Sequence, residues 1–315
     1  MEAGGGMLIG APGRWDDACF AVPALRVLVA SGVGVGVLCA AEQRALWETL
    51  PGLTVLDFPA KAKPRMLAGG LAGRWQAALV WEPGIAAEAC LRAKIPRRLG
   101  PNIKTLKKYL THPVPQAAAG RPLEHRVRHY LAVVESLGLE TSRPEFFAAA
   151  TLGVPRPPKT LLLGPDSDFG ASHEWPLARW VEVALGLQAV GWTLTIGGRA
   201  QGNRLAEKLL DQLGGGPAYV NLEPLAGALP VLAAQALVLA ADGSLPHLAA
   251  HVGTDCVTLF GPNDPAWRRP LGKSHVTVRR HVECAPCLLP KCSMDGRCQN
   301  ELSVERVLAA VSGRG

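Results

Sequence analysis

The chain has 315 residues, of which 48% are hydrophobic, and this is enough apolar surface for two domains with separate cores. Its formal net charge is +7, and such a composition excludes an intrinsically disordered chain. The longest uncharged runs, 27–41 and 225–241, are shorter than the ~18 apolar residues of a membrane helix and contain Gly or Pro. The start of the chain lacks the pattern of a secretory signal, so we expect a cytoplasmic protein without a transmembrane span.

Short apolar runs alternate with amphipathic stretches along the first half of the chain. This alternation predicts parallel strands that are connected by helices. The predicted strands are 7–10, 33–38, 54–58 and 77–81. The predicted helices are 18–30, 42–50 and 123–137. We therefore predict a doubly wound, Rossmann-like α/β domain over residues 1–152.

A second series of the same kind follows a proline-rich stretch, 153–159, which we predict to be a linker because its prolines disfavour helix and central strand. The predicted strands after it are 160–163, 193–196, 218–221, 237–240 and 256–259. The predicted helices are 177–189, 203–213, 229–235 and 246–252. A second Rossmann-like domain, 160–315, is therefore expected to face the first across a cleft.

Positive charge is concentrated between Lys61 and Arg128, where 14 Lys and Arg residues stand against three acidic residues. Such an excess attracts phosphates, acidic glycolipids, an anionic membrane surface or nucleic acid. A solvated face that aids solubility would look the same. Because no nucleic-acid-binding motif and no interleaved aromatic residues accompany these charges, we do not expect nucleic acid as a partner.

The loop after the first predicted strand, residues 10–17, is the first candidate site. Its glycines allow the backbone to approach a ligand, and it ends in Asp16 and Asp17. A carboxylate at the carboxyl end of a strand, beside a cleft, can act as a general base. The alternative is that one of these aspartates only caps the following helix.

The second candidate follows the predicted strand 237–240. Free amides at the start of the next helix would bind a diphosphate, with Asp242 contacting sugar hydroxyls and His247 in the first turn. Alternatively, Ser244 is an ordinary N-cap and His247 is a surface residue. The stretch 260–267 is a third candidate because its Asn, Asp and Trp suit sugar binding, although such residues also form plain turns.

Four of the eight cysteines lie within fifteen residues, at Cys284, Cys287, Cys292 and Cys298. In a reducing compartment a compact set of thiolates favours a structural Zn²⁺ site over disulfides. Free thiols and a conditional disulfide remain open alternatives. The other cysteines lie in apolar contexts and are expected in the core: Cys19, Cys39, Cys90 and Cys256.

These elements, in this order, resemble glycosyltransferase family 9, the ADP-heptose:lipopolysaccharide heptosyltransferases. The family's Asp-Thr/Ser-Gly-x-x-His-Leu-x-Ala-Ala motif is similar to Asp242-Gly243-Ser244-Leu245-Pro246-His247-Leu248-Ala249-Ala250. Its Phe/Tyr-Gly-Pro-Thr-Asp-Pro turn is similar to Phe260-Gly261-Pro262-Asn263-Asp264-Pro265, and its Cys-x-Pro-Cys to Cys284-Ala285-Pro286-Cys287. Near the start, Asp17 and the following residues 18–25 are similar to Gly-Asp-(x)5-Pro-Ala-Leu.

The resemblance implies the two-domain GT-B fold and an inverting transfer of heptose from ADP-heptose to a lipopolysaccharide-core acceptor, with Asp17 as catalytic base and no required cofactor. The implied donor-binding residues are His173, Gly197, Gly198, Asp242, Gly243, Ser244, His247, Asn263 and Asp264. The acceptor is expected to be an acidic lipid-linked glycan, so that the protein contacts the cytoplasmic face of the inner membrane. The residues expected to bind it are Arg14, Trp15, Arg97, Arg98 and Lys104.

Three features depart from the family pattern. His173 stands where the family's Lys-x-Trp-Pro has lysine, and Gln201-Gly202-Asn203 replaces the acidic residue expected after Gly197-Gly198. The order Gly243-Ser244 inverts the family's Ser/Thr-Gly. These departures leave two alternatives open: a GT-B transferase that uses another nucleotide sugar, and a sugar- or anion-binding protein that has lost catalysis.

Overall fold

The computed structural model describes residues 6–115, 124–198, 204–223 and 225–314. The chain divides into two compact units, Met1–Ala148 and Ala149–Gly315. The stretch 153–159, predicted to be a linker, belongs to the second unit, and all of it is described without helix or strand.

In the described part of the first unit, six parallel strands form one sheet in the order β3-β2-β1-β4-β5-β6. The strands are β1 (Met7–Gly10), β2 (Val35–Ala40), β3 (Leu53–Phe58), β4 (Ala77–Val80), β5 (Arg97–Pro101) and β6 (His112–Val114). The helices are α1 (Trp15–Ala30), α2 (Arg44–Glu48), α3 (Pro64–Leu71), α4 (Ile85–Arg92) and α5 (Val127–Glu135), with 3₁₀ turns at Ala41–Gln43, Lys107–Tyr109 and Pro144–Phe147.

The central strands of this sheet are buried on both faces, which is why they read as continuous apolar runs and not as an alternation. All residues of β1 and β4 are buried. The four strands predicted in this half are confirmed, with small shifts at their ends. The sequence did not indicate β5, which begins with two arginines, or β6, which contains Pro113.

In the second unit, six parallel strands within the described ranges follow the order β12-β11-β10-β7-β8-β9. They are β7 (Thr160–Gly164), β8 (Thr193–Gly198), β9 (Ala218–Asn221), β10 (Leu237–Ala241), β11 (Asp255–Phe260) and β12 (Val276–Arg279). The helices are α6 (Leu177–Ala189), α7 (Leu205–Gln212), α8 (Leu225–Ala233), α9 (Ser244–His251), α10 (Pro265–Arg268), α11 (Arg297–Asn300) and α12 (Val304–Ser312); 3₁₀ geometry occurs at Ala171–His173.

The core of the second unit is formed by the sheet together with α6 and α12. Trp175 and Trp180 are fully buried there and meet edge to face, with 5.5 Å between ring centroids. Val307 and Val311 cover the same core from α12, a helix that was not predicted. Among the helices of the described ranges, none combines the length and hydropathy needed to cross a membrane.

Both sheets reverse their strand order at one point, between β1 and β4 in the first unit and between β7 and β10 in the second. Ligands of open parallel sheets bind outside the carboxyl ends of the strands at such a reversal, because the loops there diverge to opposite faces. In the first unit one of these loops leads into the first turn of α1 with Asp17, and the other carries Glu82. In the second they carry Asp168 and Asp242.

Candidate functional site

In the first unit, Asp17 lies in the first turn of α1, directly after the loop that follows β1. Its side chain is buried, with only 5% of its area exposed. Arg126 Nε donates to Asp17 Oδ1 over 2.9 Å, and Arg14 Nε lies 3.9 Å from Oδ2. The carboxylate is therefore held by cations close to both of its oxygens.

Tyr130, one turn after Arg126 on α5, completes this arrangement. Burial, followed by the negative charge of Asp17 nearby, raises the pKa of the Tyr130 phenol well above its ordinary value. Arg126 lies over the ring of Tyr130, 5.6 Å from its centroid. Burial alone would lower the pKa of Arg126, but Tyr130 and Asp17 raise it, so the guanidinium remains charged beside the carboxylate.

A cavity of about 220 Å³ opens at the same edge of the first sheet. It is bounded by Gly10, Phe58, Glu82 and the start of α4. Glu82 Oε1 accepts a hydrogen bond from the amide of Gly13 over 2.7 Å, which connects the loop after β4 to the loop after β1. Gln43 Nε2 donates to the carbonyl of Pro12 over 2.9 Å from the other side. The loop that precedes Asp17 is thus held from two directions.

The residues expected to bind the acceptor have different surroundings. Arg14 is exposed, and its Nε donates to Asp16 Oδ1 over 3.2 Å, whereas Trp15 is buried at the start of α1. Lys104 is exposed in the loop after the carboxyl end of β5. Arg97 and Arg98 begin β5 and so lie at the amino edge of the sheet, with Arg98 donating to the carbonyls of Ile95 and Tyr109.

In the second unit, Asp242 follows β10 and is completely buried. Its Oδ2 lies 3.0 Å from His173 Nδ1 and accepts a hydrogen bond from Asn263 Nδ2 over 2.7 Å. Burial raises the pKa of Asp242, and the contacts with His173 and Asn263 act in the opposite direction. Oδ1 has no hydrogen-bond partner within the described part of the chain. His173, which stands in the place of the family lysine, is therefore engaged with a protein carboxylate.

The amino terminus of α9, where a diphosphate was expected, is occupied by Asp168. Asp168 Oδ1 accepts from the amide of Ser244 over 2.8 Å, and its Oδ2 accepts from Ser244 Oγ over 2.6 Å. A Cβ at Gly243 would lie 2.8 Å from Asp168 Oδ1, so a larger residue there would require Asp168 to shift. The Ser244 amide thus already binds an anion of the protein itself.

The loop after β7 makes two further contacts of this kind. Asp166 Oδ1 accepts from the amide of Leu205 at the start of α7 over 2.7 Å. Between the two aspartates, Ser167 Oγ donates to the carbonyl of Asp242 over 2.6 Å. Three successive residues of this loop therefore bind α7, the strand end of β10 and α9.

The remaining donor-binding candidates have different contacts. His247 is buried in the first turn of α9, and Asp264 caps α10 by accepting from Ala266 N over 2.9 Å. Gly197 and Gly198 end β8, where a Cβ would collide with Leu222 and Leu162 in the first case and with Tyr219 in the second. The small size of Gly197 is required by packing against buried leucines, whereas the exposed Tyr219 could move away from a side chain at position 198. The replaced acidic position, Gln201-Gly202-Asn203, lies outside the described residues.

The cysteine-rich segment, 284–298, packs against two of the loops that hold Asp242. The amide of Leu288 donates to the carbonyl of Pro262 over 3.0 Å, next to Asn263. Ser172, next to His173, donates its hydroxyl to the carbonyl of Leu289 and its amide to that of Pro290. The segment thereby supports both groups that bind the Asp242 carboxylate.

The four cysteines of this segment are free thiols, and only Cys298 is buried. Burial raises the pKa of Cys298, and the charges of the other three cysteines raise it further, which places them in its neighbourhood. In the residues described, however, no three His, Cys, Asp or Glu side chains are placed to hold a metal ion together. In their present positions these thiols do not form the expected Zn²⁺ site. The other four cysteines are buried, as predicted.

Two six-stranded parallel α/β units with their loops at the reversal points are the architecture of the GT-B fold. Comparison with solved structures supports this. Escherichia coli ADP-heptose lipopolysaccharide heptosyltransferase II is similar with a TM-score of 0.77 at 20% identity, over 98% of both chains. An E. coli heptosyltransferase solved with ADP gives a TM-score of 0.77 at 16% identity, over 98% of this chain and 99% of that one. The fold of this chain is therefore GT-B.

Sequence comparison identifies the family. The profile of glycosyltransferase family 9 (heptosyltransferase) matches residues 130–297, and the chain belongs to this family. Lipopolysaccharide heptosyltransferase 1 of Pseudomonas aeruginosa is 34% identical over 123 residues, which are 39% of this chain and 34% of that protein. The match spans about a third of the length of this curated relative.

Sequence reasoning did not identify Arg126, Tyr130, Asp166 or Asp168. The first two are one turn apart on a predicted helix, and an arginine above a tyrosine on an apolar face was a usable signal. The two aspartates follow a predicted strand at its carboxyl end, which is where polar residues of a parallel sheet meet ligands. Their pairing with particular helices had no signal in the sequence.

Proposed function

We propose that this chain is an inverting heptosyltransferase that transfers heptose from ADP-heptose to an acidic, lipid-linked acceptor of the lipopolysaccharide-core type. Membership of family 9 supports the class of reaction. The observation that carries the proposal is the buried carboxylate of Asp17, held in orientation by Arg126 at the strand reversal of its sheet. A buried, oriented carboxylate at a ligand-binding edge is suited to proton abstraction.

In this proposal the reaction is a single displacement. Asp17 accepts the proton of the acceptor hydroxyl while the oxygen attacks the anomeric carbon of the heptose, and the bond from that carbon to the diphosphate breaks. ADP carries away the electron pair of the broken bond. Arg126 keeps the Asp17 carboxylate in position, and Arg14 lies on the side of Oδ2. The side chains and backbone amides of the chain are assigned every role, so the proposal requires no cofactor.

The second unit would bind the donor around Asp242 and the amino terminus of α9. Helix amino termini bind phosphate because their free amides and dipole favour negative charge, and these interactions strengthen as charge develops on the leaving diphosphate. A structurally similar heptosyltransferase was solved with ADP, which supports an adenine nucleotide. Asp242 Oδ1, to which no described residue donates, would accept from a sugar hydroxyl.

The first unit would bind the acceptor and contact the cytoplasmic face of the inner membrane. Lys61, Lys63 and Arg65 follow the carboxyl end of β3, and Lys104 follows that of β5, so these exposed cations lie at the same edge as Asp17. Met66, beside them on α3, is 74% exposed. Cations around an exposed apolar side chain suit an anionic lipid surface. Sedimentation with anionic and with neutral vesicles tests this, since only anionic vesicles should retain the protein, and less so at high salt.

The test of the proposed reaction is calorimetric binding and turnover of a panel of nucleotide sugars, with a lipopolysaccharide-core acceptor. ADP-heptose should bind and be consumed, with release of ADP. Consumption of a different nucleotide sugar in its place would favour the alternative of a GT-B transferase with another donor. The replacement of the family lysine by His173 is the observation that supports this alternative. Binding without turnover of any donor would favour the non-catalytic sugar- or anion-binding protein.

We also propose that Cys284, Cys287, Cys292 and Cys298 close around a structural Zn²⁺ when it is supplied. The spacing of the four cysteines and the proximity of the first three to Cys298 support this proposal. To bind the ion, the thiols would have to move from their present positions. Elemental analysis after purification with zinc should find one ion per chain, and the double variant Cys284→Ser/Cys287→Ser should lose it. A metal-free protein of unchanged stability would remove the proposal.

A further inference from the structure

The carboxylate of Asp168 lies where the proposed function requires a phosphate. Its two oxygens accept from the amide and the hydroxyl of Ser244 over 2.8 and 2.6 Å, at the start of an eight-residue helix. This is the geometry in which a helix terminus binds a phosphate oxygen pair. A donor diphosphate and the Asp168 carboxylate cannot occupy this terminus together.

A second observation indicates that this position is a ligand site. Asp242, the residue before Gly243, is completely buried, and its Oδ1 has no hydrogen-bond partner among the described residues. A buried carboxylate oxygen without a donor is costly, so it indicates a polar group that is bound in another state. Asp242 stands two residues before Ser244, so a ligand at the α9 terminus would lie close to this carboxylate along the chain.

Resting on the proposed function, we infer that Asp168 acts as an internal competitor of the donor diphosphate, and that the donor binds only after Asp168 has left Ser244. The loop after β7 then exists in two states. In the closed state, Asp168 caps α9. In the open state, the amide and hydroxyl of Ser244 bind the diphosphate.

This competition lowers the apparent donor affinity by the fraction of molecules that are open. The closed state is held by more than one contact, because Ser167 Oγ also donates to the carbonyl of Asp242 and the amide of Phe169 donates to Ser167 Oγ. The guanidinium of Arg268 lies 5.5 Å from the centroid of the Phe169 ring. Opening therefore requires a concerted movement of the loop and not only a change of the Asp168 rotamer.

The test compares Asp168→Asn and Asp168→Ala with the wild type. The asparagine variant keeps a side chain that can bond Ser244 but lacks the negative charge, and the alanine variant leaves the α9 terminus open. The ligands are inorganic pyrophosphate, ADP and AMP, measured by calorimetry. Both variants should bind pyrophosphate and ADP more tightly, by roughly tenfold. AMP, which lacks the second phosphate, should gain less.

Asp255→Asn is the matched control for net charge. Asp255 is the first residue of β11, at the amino edge of the same sheet, and its Oδ2 pairs with Arg314 over 3.4 Å. This variant loses the same charge at the opposite end of α9 from Ser244, so its pyrophosphate affinity should stay within about twofold of the wild type. Thermal unfolding of each variant reports whether the fold is retained.

The inference is overturned if Asp168→Asn and Asp168→Ala bind pyrophosphate no more tightly than the wild type, or if Asp255→Asn gains as much as they do. Pyrophosphate makes this outcome independent of the donor's identity. Tighter pyrophosphate binding without turnover of ADP-heptose would leave the competition by Asp168 standing and remove the proposed reaction. Turnover of ADP-heptose with pyrophosphate affinities unchanged in the variants would support the proposed reaction and remove the competition by Asp168.

Discussion

Arg126 and Asp17 form an ion pair across 109 positions of the sequence, with Nε 2.9 Å from Oδ1. The pair joins α5 to the first turn of α1 and leaves the second carboxylate oxygen on the side of Arg14. A carboxylate that is almost completely buried needs such a partner, because desolvation of an unpaired charge is costly. The same contact therefore serves both the stability of the first unit and the orientation of the proposed base.

Replacement of Asp17 by asparagine should abolish transfer while leaving nucleotide binding intact. Asparagine keeps the shape of the side chain but cannot accept the acceptor's proton, and loss of a general base lowers rates by roughly 10²–10⁴-fold. Turnover and calorimetric ADP binding should be measured on the same preparation. Asp16→Asn, in the adjacent buried carboxylate, is the control and should retain most of the activity. Equal activity of Asp17→Asn and the wild type would refute the mechanism.

Replacement of Arg126 by glutamine should lower the free energy of unfolding by about 2–3 kcal/mol, because it leaves the Asp17 carboxylate buried without its principal cation. Arg128, two residues along the same helix, pairs with the more exposed Glu135. Arg128→Gln should therefore cost about 0.5 kcal/mol. Urea denaturation at pH 7 compares the two variants. A cost at Arg126 no greater than that at Arg128 would mean that the pair with Asp17 contributes little.

His129 should make the protein less stable in mild acid. Burial, followed by the charge of Arg126, lowers the pKa of His129 to about 4, with Asp17 acting in the opposite direction. Below the unfolded pKa of about 6.5, the unfolded chain binds a proton that the folded protein does not, so the free energy of unfolding falls as the pH decreases. Between pH 7 and pH 5 the loss should be on the order of 1–2 kcal/mol.

Urea denaturation of His129→Gln at the two pH values checks this prediction. The variant should lose less stability on acidification than the wild type does. His112→Gln, at an exposed position in β6, is the control and should follow the wild type. If wild type and His129→Gln lose the same amount, another group is responsible for the acid sensitivity.

Replacement of Asn263 by alanine should cost about 1–3 kcal/mol in the free energy of unfolding, because it removes a hydrogen-bond donor from the completely buried carboxylate of Asp242. Asn221→Ala is a suitable control, since Asn221 is exposed and its side chain bonds only the nearby amide of Glu223 among the contacts shown. Thermal unfolding should separate the two variants. Equal costs would show that Asp242 does not depend on Asn263.

The sequence predicted the strands that are apolar throughout and the position of Asp17, because buried parallel strands and residues that follow them have local patterns. It did not predict β5, β6 or β12. The first begins with Arg97 and Arg98, whose charges mask a strand that becomes buried only from Leu99 onward. The helix α12 was missed although its valines recur at helical spacing.

The contacts that define the two candidate sites were beyond sequence reasoning for a different reason. Asp168 meets Ser244 across 76 positions, and no periodicity specifies which loop carboxylate reaches which helix. The same holds for His173, which the family pattern associated with a diphosphate and the structure pairs with Asp242. Such pairings depend on the path of the loops after the strands have been placed.

The short spacing of Asp166 and Asp168 limits how the loop after β7 can be changed by engineering. One residue separates two carboxylates that end on different helices, α7 and α9. An insertion or deletion between them would put at least one out of reach, so the length of this loop is constrained from two directions. Exchanges with relatives should therefore move the whole loop together with the residues that begin both helices, and transplanting either aspartate alone would leave a helix end unsatisfied.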